Sequence, residues 1–550
     1  MRVLGLNAVF HDPSAAVVVD GRIVAAAEEE RFSRRKHGKP CVPFSTWELP
    51  ERSARWCLAQ AGLEPRDVDS VAYSYDPELA APPSGDLTAD EYEGLRTFYV
   101  RRAPNFAQTS FRGLDSAKMR FVPHHVAHAA SAYLAGPHRT CSVMVLDGRG
   151  ERSSYLAGRA VEGNLEIFET QPLPDSLGLR YEELTMHLGF ARSSDEYKIM
   201  ALAAYGRPRF LPELRELMYC SEHGFVARPV EYSRFAPARA PEGPMLEVHA
   251  DLASSVQVRL EEILVELATR LHRRTGDRAL VMAGGVALNC VANSAIARRA
   301  PFEDVWVQPA AGDAGTALGA ALYVAHELGD RVEPMPGAAL GRGWTDSEIR
   351  GLLEAALLEY EAPDDVALTV ARALADDQIV GWFQGRSEFG PRALGHRSLL
   401  AHPGHTRNLQ RLNDVKGREQ FRPVAPMVLR ERAAEIFDGP LPSPYMLFTH
   451  RVRDEWRSRL PAVTHVDGSA RVQTVDAREE PLLGAMLAHF ERLTGLPVVV
   501  NTSFNTAGRP MVDDPRDALE CFGSTPIGLL AIGRFTLARA RRAVALAGAA

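Results

Sequence analysis

At 550 residues the chain is longer than one hydrophobic core usually serves, so two or three domains are expected. Apolar residues make up 46% and charged residues 24%, an ordinary soluble globular balance, and a net charge of -7 with no long basic block argues against a self-sufficient nucleic-acid binder. The apolar start lacks a basic n-region and cleavage site, no stretch approaches the roughly 18 apolar residues of a membrane span, and the six cysteines include no CxxC pair, so the expectation is a cytoplasmic protein with reduced thiols.

The first segments read as strand, turn and strand. "RVLGLNAVF" and "AAVVVD" are β-prone runs separated by the turn "HDPS", and "GRIVAAAEEE" leaves from a glycine turn. "SARWCLAQAGL" has helical periodicity closed near Gly62, and "DSVAYSY" is a short strand. The small residues Ala127 to Ala135 favour a helix that carries His124 and His128 on one face. At that spacing the two imidazoles are either ligands of one ion or ordinary packed histidines. "CSVMVLDGRGERSSYLAG" repeats the opening scheme: a buried strand ending in a polar residue, a glycine turn, and a returning strand. A long helix runs from Asp251 to Thr275. "RALVMAGGVALNC" and "VWVQPAAGDAGTALGAALYVAHEL" each pass from strand through a glycine-containing turn into a helix. The segment "GDRVEPMPGAALGRGW" is rich in glycine and proline and marks the expected boundary between residues 1–340 and 345–550. Beyond it, "QIVGWFQ", "FRPVAPMVL", "RVQTV" and "PVVVNTSF" read as strands, and "EEPLLGAMLAHFERLTG" as a helix closed by Gly495. Strands alternating with helices predict α/β or α+β layers in both parts, with α/β as the fold class.

Four groups of residues carry candidate chemistry. His124, His128, Asp147 at a strand end and Asp313 in the turn "AGDAG" make a mixed nitrogen and oxygen set, suited to iron, manganese or zinc. The alternative for Asp313 alone is a helix cap. "MAGGVALN", with Gly284, Gly285 and Asn289, lets the backbone approach a nucleotide closely, or is simply a tight strand-to-helix turn. A dense set of bases follows: Arg386, Arg392, Arg397, Lys416, Arg418, Arg422 and Arg471, with Ser503 and Asn505 nearby in "NTSFN". Arginine forks grip phosphate or carboxylate oxygens, so these bases suit a pocket for two anionic substrates. "SSDEYKIMALAAYG" and "EEERFSRRKHG" read first as solvated charge runs, the former with Asp195 and Glu196 meeting a helix dipole.

The ordered motifs "FHDPSAA", "AEEERFSRRKHG", "HHVAHAASAY", "LDGRGE", "DEYKIMALAAYG", "GGVALN", "GRSEFGPRALGHRS", "KGREQFRPVAP", "HVDGSARVQTV" and "NTSFN" resemble the NodU and CmcH carbamoyltransferase family. Ser387 and His396 depart from it where methionine and asparagine are expected. The resemblance implies an actin, sugar-kinase and Hsp70 type domain over 1–340, similar to the transfer subunit of tRNA threonylcarbamoyl-adenosine synthesis. It implies a YrdC-like domain over 345–550. It implies O-carbamoyl transfer from carbamoyl phosphate, through a carbamoyl-adenylate made with ATP and Mg, to a hydroxyl of a small natural product such as an antibiotic. By motif, His124, His128, Asp147 and Asp313 match an Fe(II) site, with another divalent ion as the alternative. Lys416, Arg418, Arg471, Ser503 and Asn505 match the adenylate-forming pocket. His11, Lys36 and Asp195 lie in motifs near the transfer site, with His11 or Asp195 as the base for the acceptor hydroxyl. No nucleic acid or membrane partner is expected, and a homodimer is allowed. Two rivals are a fused tRNA-modifying enzyme and a catalytically silent ATP-binding scaffold.

Overall fold

The computed structural model describes residues 1–40, 42–80 and 90–539. Its architecture is α/β. The first sheet holds β1 (Arg2–Asn7), β2 (Ser14–Val19), β3 (Arg22–Glu28), β4 (Ser70–Tyr73) and β5 (Met119–Phe121) in the order β3-β2-β1-β4-β5. Strands β1 to β3 form an antiparallel meander; β4 and β5 join parallel on the other side of β1. The second sheet repeats this plan. Its strands are β6 (Thr140–Leu146), β7 (Ser153–Val161) and β8 (Asn164–Pro172), then, beyond a small hairpin of β9 (Met218–Cys220) and β10 (Phe225–Ala227), β11 (Ala279–Ala283) and β12 (Asp304–Val307). The order is β12-β11-β6-β7-β8, with β6 to β8 antiparallel and β11 and β12 parallel. The strand, turn and returning strand legible twice in the sequence are thus the start of two equivalent sheets.

Two helices lie between these sheets. His124–Tyr133 packs on β6 and β11, Ala314–Glu327 packs on β1 and β2, and the helices pack on each other. Their alanine and glycine content allows the close approach. A Cβ added at Gly319 would overlap the carbonyl oxygen of Ala127. That contact brings the histidine face of one helix to the amino end of the other, where Asp313 stands.

The remaining strands are β13 (Val380–Phe383), β14 (Arg397–Ala401), β15 (Ala425–Leu429), β16 (Phe437–Asp438), β17 (His450–Val452), β18 (Ser469–Ala470), β19 (Gln473–Val475), β20 (Val498–Ser503), β21 (Leu529–Ile532) and β22 (Phe535–Ala538). Seven of them form the sheet β19-β15-β20-β14-β13-β21-β22, and β16 to β18 form a small antiparallel sheet. A separate core between Ile349 and Leu537 includes Trp382, Phe383, Phe490 and Phe504.

One expectation is corrected here. "EEERFSRRKHG" is not a solvated run: Glu28, Glu29, Glu30 and Arg31 are buried. Burying a charge is costly unless it is paired and hydrogen-bonded. Arg31 lies 3.5 Å from Glu28 and 3.6 Å from Glu30. It also donates to the carbonyl of Gly390 at 2.9 Å, while the Gly390 N–H donates to Glu28 at 2.7 Å. The run is a polar seam joining the amino-terminal part to the segment after β13.

Candidate active site

His124 and His128 are fully buried, and Asp147 and Asp313 nearly so. One ligand atom from each of the four comes within 4.8 Å of the others. The Nε2 of His124 stands 3.4 Å from Asp147 and 3.6 Å from Asp313; that of His128 stands 3.9 Å and 3.5 Å from them. Such separations are too long for good hydrogen bonds. They suit donors sharing an ion, since ligands about 2.1 Å from one metal stand roughly 3.0–3.4 Å apart at octahedral or tetrahedral angles. Both Nε2 atoms are buried without a hydrogen-bond partner. Asp313 occupies the N-cap position of its helix, yet its side chain makes no capping bond. The residues therefore fit a divalent ion bound through nitrogen and oxygen.

The electrostatics agree. Burial alone would lower the His124 imidazole, but Asp147 and Asp313 override it and push it up to about 10. Burial works to raise both carboxyls, yet the imidazoles facing them hold both below the usual carboxylate range. Two buried carboxylates demand a positive partner here, a proton or a metal. Neighbouring groups orient the donors: Ser74 O is 3.2 Å from His124 Nδ1, and the Gly285 N–H donates to Asp147 at 2.9 Å. Gly284 allows this arrangement. Its φ of 96° is left-handed, and a Cβ there would overlap the carbonyl of Leu146 at the end of β6.

The expected cations of the carboxy-terminal half divide into two groups. Lys416, which caps the helix Arg407–Val415, donates to Ser503 Oγ at 2.9 Å and to Asn505, while Ser503 Oγ donates to Asn505 at 2.8 Å. Burial, then Arg418 and Arg422, hold the Lys416 ammonium well below its usual range. Burial with neighbouring cations, Arg422 for Arg418 and Arg471 for Arg392, pushes Arg418 and Arg392 down to about 9. Arg392 Nε and Arg471 Nε are buried with no hydrogen-bond partner. Clustered cations that depress one another mark a place prepared for an anion. Arg386 and Arg397 do not belong to it. Arg386 donates to the carbonyls of Val24, Leu340 and Gly341. Arg397 donates to those of Gln384, Gly385 and Arg342, and lies 3.7 Å over the Phe383 ring. Both are committed to backbone carbonyls.

A single cavity of about 1620 Å³ is lined by both sets: Asp147 and Asp313 from one, Lys416, Arg418, Arg471 and Ser503 from the other. Residues 2–322 match the family described as "Carbamoyltransferase N-terminus", and residues 371–539 match "Carbamoyltransferase C-terminus". The chain belongs to the carbamoyltransferase family. Nodulation protein NolNO of Sinorhizobium fredii is 37% identical over 96% of this chain and 79% of its own length. Nodulation protein U of Rhizobium tropici is 32% identical over 94% of this chain and 93% of its own. The relatives are of the NodU/CmcH type, and the chain is a transferase. A ROK hexokinase from Thermus thermophilus superposes with a TM-score of 0.32 at 17% identity, over 60% of this chain and 100% of that one.

In this carbamoyltransferase the structure gathers most of the residues singled out in the sequence. His11, Lys36, Asp195, Gly285, Asn289 and Asn505 also line the cavity. Asn289 also caps the helix Cys290–Arg299, accepting from Ala292 N. Lys36 stands 3.6 Å from Glu30. Asp195 is ion-paired with Lys198 at 3.1 Å, and Lys198 reaches Glu419 of the cation loop at 2.8 Å. The sequence reading gave no role to Lys198, Glu419, Asp12 or His37. Asp12 was part of a turn and His37 the end of a charge run; only the fold shows that both face the cavity. Among the described residues no helix is long and apolar enough to cross a membrane.

Proposed function

We propose that the chain is an O-carbamoyltransferase working in two steps within one cavity. In the first, Lys416, Arg418 and Arg471, with Ser503 and Asn505, hold ATP with Mg and carbamoyl phosphate. Water releases inorganic phosphate from carbamoyl phosphate, and the carbamate oxygen then bonds to the α-phosphorus of ATP as pyrophosphate leaves, giving carbamoyl-adenylate. Fixed cations offset the repulsion of the two anions and stabilise charge developing at phosphorus. The Nε atoms of Arg471 and Arg392, buried without a hydrogen-bond partner, and the mutual depression of the clustered arginines support this part of the reading. Arg392 belongs with them on the same grounds.

In the second step the carbamoyl group passes through the cavity to a hydroxyl of a small natural product beside His124, His128, Asp147 and Asp313. These four would hold Fe(II) or another divalent ion, which supplies a Lewis acid for the carbamoyl carbonyl or the phosphate. Gly284, Gly285 and Asn289 form the turn next to Asp147, where the adenylate arrives. His11, Lys36 and Asp195 line the wall facing the acceptor. The repeated sheets of residues 1–340 support the actin and sugar-kinase reading, and residues 345–550 act as the YrdC-like partner.

The observation that carries the proposal is the shared cavity, because a water-labile intermediate needs a short route between its two sites. The test is mass spectrometry of a reaction with ATP, carbamoyl phosphate and a panel of hydroxylated natural products, with metal analysis of the same protein. A carbamoylated product with release of pyrophosphate and AMP is expected. Product formed without ATP, or threonylcarbamoylation of tRNA, would contradict it.

A further inference from the structure

Asp12 lies between two imidazoles, accepting from His11 Nδ1 on one oxygen and from His37 Nδ1 on the other, each at 2.9 Å. Burial works to raise the carboxyl, but His37 and His11 hold it well below the usual range. A carboxylate accepting from His37 Nδ1 holds that ring's proton there and turns Nε2 toward the Ser194 hydroxyl. The Nε2 atoms of the two rings face different ways. His11 Nε2 is 3.7 Å from Asp313, beside the metal set. His37 Nε2 is 2.7 Å from Ser194 Oγ.

Asp12, His37 and Ser194 therefore form a carboxylate, imidazole and hydroxyl line, and all three line the cavity. They come from the turn after β1, the turn after the helix Glu30–Ser33, and the loop before the helix Glu196–Ala203. The buried carboxylate of Glu30 accepts the His37 N–H at 2.8 Å and fixes the ring's backbone. Asp12, His37 and Ser193 have φ values of 48°, 60° and 54°. Left-handed conformations outside glycine cost about 1–2 kcal/mol each, and their concentration at one cluster points to a geometry held for use.

We infer that Ser194 and His37 are the proton relay that activates the acceptor hydroxyl, with Asp12 as the positioning residue. The inference rests on reading this cavity as the place of carbamoyl transfer. As the acceptor oxygen bonds to the carbamoyl carbon, its proton passes to Ser194 Oγ. The Ser194 proton passes to His37 Nε2, and the bond from the carbamoyl carbon to the phosphate oxygen of AMP breaks. The imidazolium formed faces Asp12, which stabilises it. His11, turned toward Asp313, and Asp195, paired with Lys198, are then committed elsewhere.

The test needs neither ATP, carbamoyl phosphate nor an acceptor, so it fails or succeeds separately from the adenylate reading. A fluorophosphonate ester is the probe for a hydroxyl whose proton an imidazole can take. Ser194 Oγ bonds to phosphorus, fluoride leaves, and the proton goes to His37. The full-length protein is expected to be labelled at Ser194. Labelling should slow at least about 100-fold in His37→Gly and in Asp12→Asn. Added imidazole should restore part of the rate in His37→Gly and none in Asp12→Asn, which a merely structural role for His37 would not produce. Circular dichroism checks that each variant folds, and Asp12→Asn carries the test if His37→Gly does not. No adduct at Ser194, or equal rates in wild type and Asp12→Asn, would overturn the relay. So would a carbamoyl group found on Ser194 after incubation with ATP and carbamoyl phosphate, because the serine would then be a carrier.

Discussion

His128 keeps both ring nitrogens buried without a hydrogen-bond partner, a costly state for an imidazole that does nothing else. Replacing His128 by alanine should lower bound metal at least about tenfold and reduce carbamoyl transfer in parallel. Metal analysis and transfer assays on the same preparation check this. Glu196 offers a different handle. Burial pushes its carboxyl from the ordinary 4.5 up to about 7. Between those values the folded state keeps a proton that the unfolded chain has lost. Raising the pH through this interval therefore destabilises the fold, and the penalty is complete above about 7. Glu196→Gln should remove a cost of roughly 2–3 kcal/mol at alkaline pH and little at pH near 4.5. Thermal unfolding midpoints of the two proteins at acid and alkaline pH measure it. A difference that does not grow with pH would contradict the assignment.

The helices His124–Tyr133 and Ala314–Glu327 set, through their mutual distance, the spacing of His124 and His128 from Asp313 in the proposed metal set. Gly319 sits where they touch, and a side chain there meets the backbone of Ala127. Gly319→Ala should force them apart and destabilise the protein by more than about 2 kcal/mol. Any folded fraction should hold less metal than wild type, although no ligand has been changed. Normal metal content would contradict the packing. These elements were legible because their signals are local: alanine runs for the helices, apolar runs for β1, β6 and β11, and glycine at the turns. Asp147 and Asp313 could be placed at the right edge because each follows or precedes such a run. The polar seam of Glu28 and Arg31 was not legible, since its partner Gly390 lies about 360 positions away. Nor was the meeting of Asp12, His37 and Ser194, whose members belong to three turns with no periodic pattern. The bases were visible as a group. Only the fold separates Arg392, which lines the cavity, from Arg386 and Arg397, which bind backbone carbonyls.

The candidate metal set and the cation cluster face one cavity, and its wall is tied across by Asp195, Lys198 and Glu419. On the proposed two-step reading, such a route would keep the adenylate inside the chain that made it. Two variants test this when used together. Arg471→Ala removes a cation of the proposed adenylate pocket and should stop pyrophosphate release, while His124→Ala removes a proposed metal ligand and should block transfer. The decisive measurement is carbamoyl transfer by an equimolar mixture of the two proteins, each inactive in transfer alone. A closed internal route predicts that the mixture stays inactive, because the adenylate made by His124→Ala never reaches the intact metal site of Arg471→Ala. Restored transfer in the mixture would show the intermediate crossing solvent, and would contradict an enclosed passage.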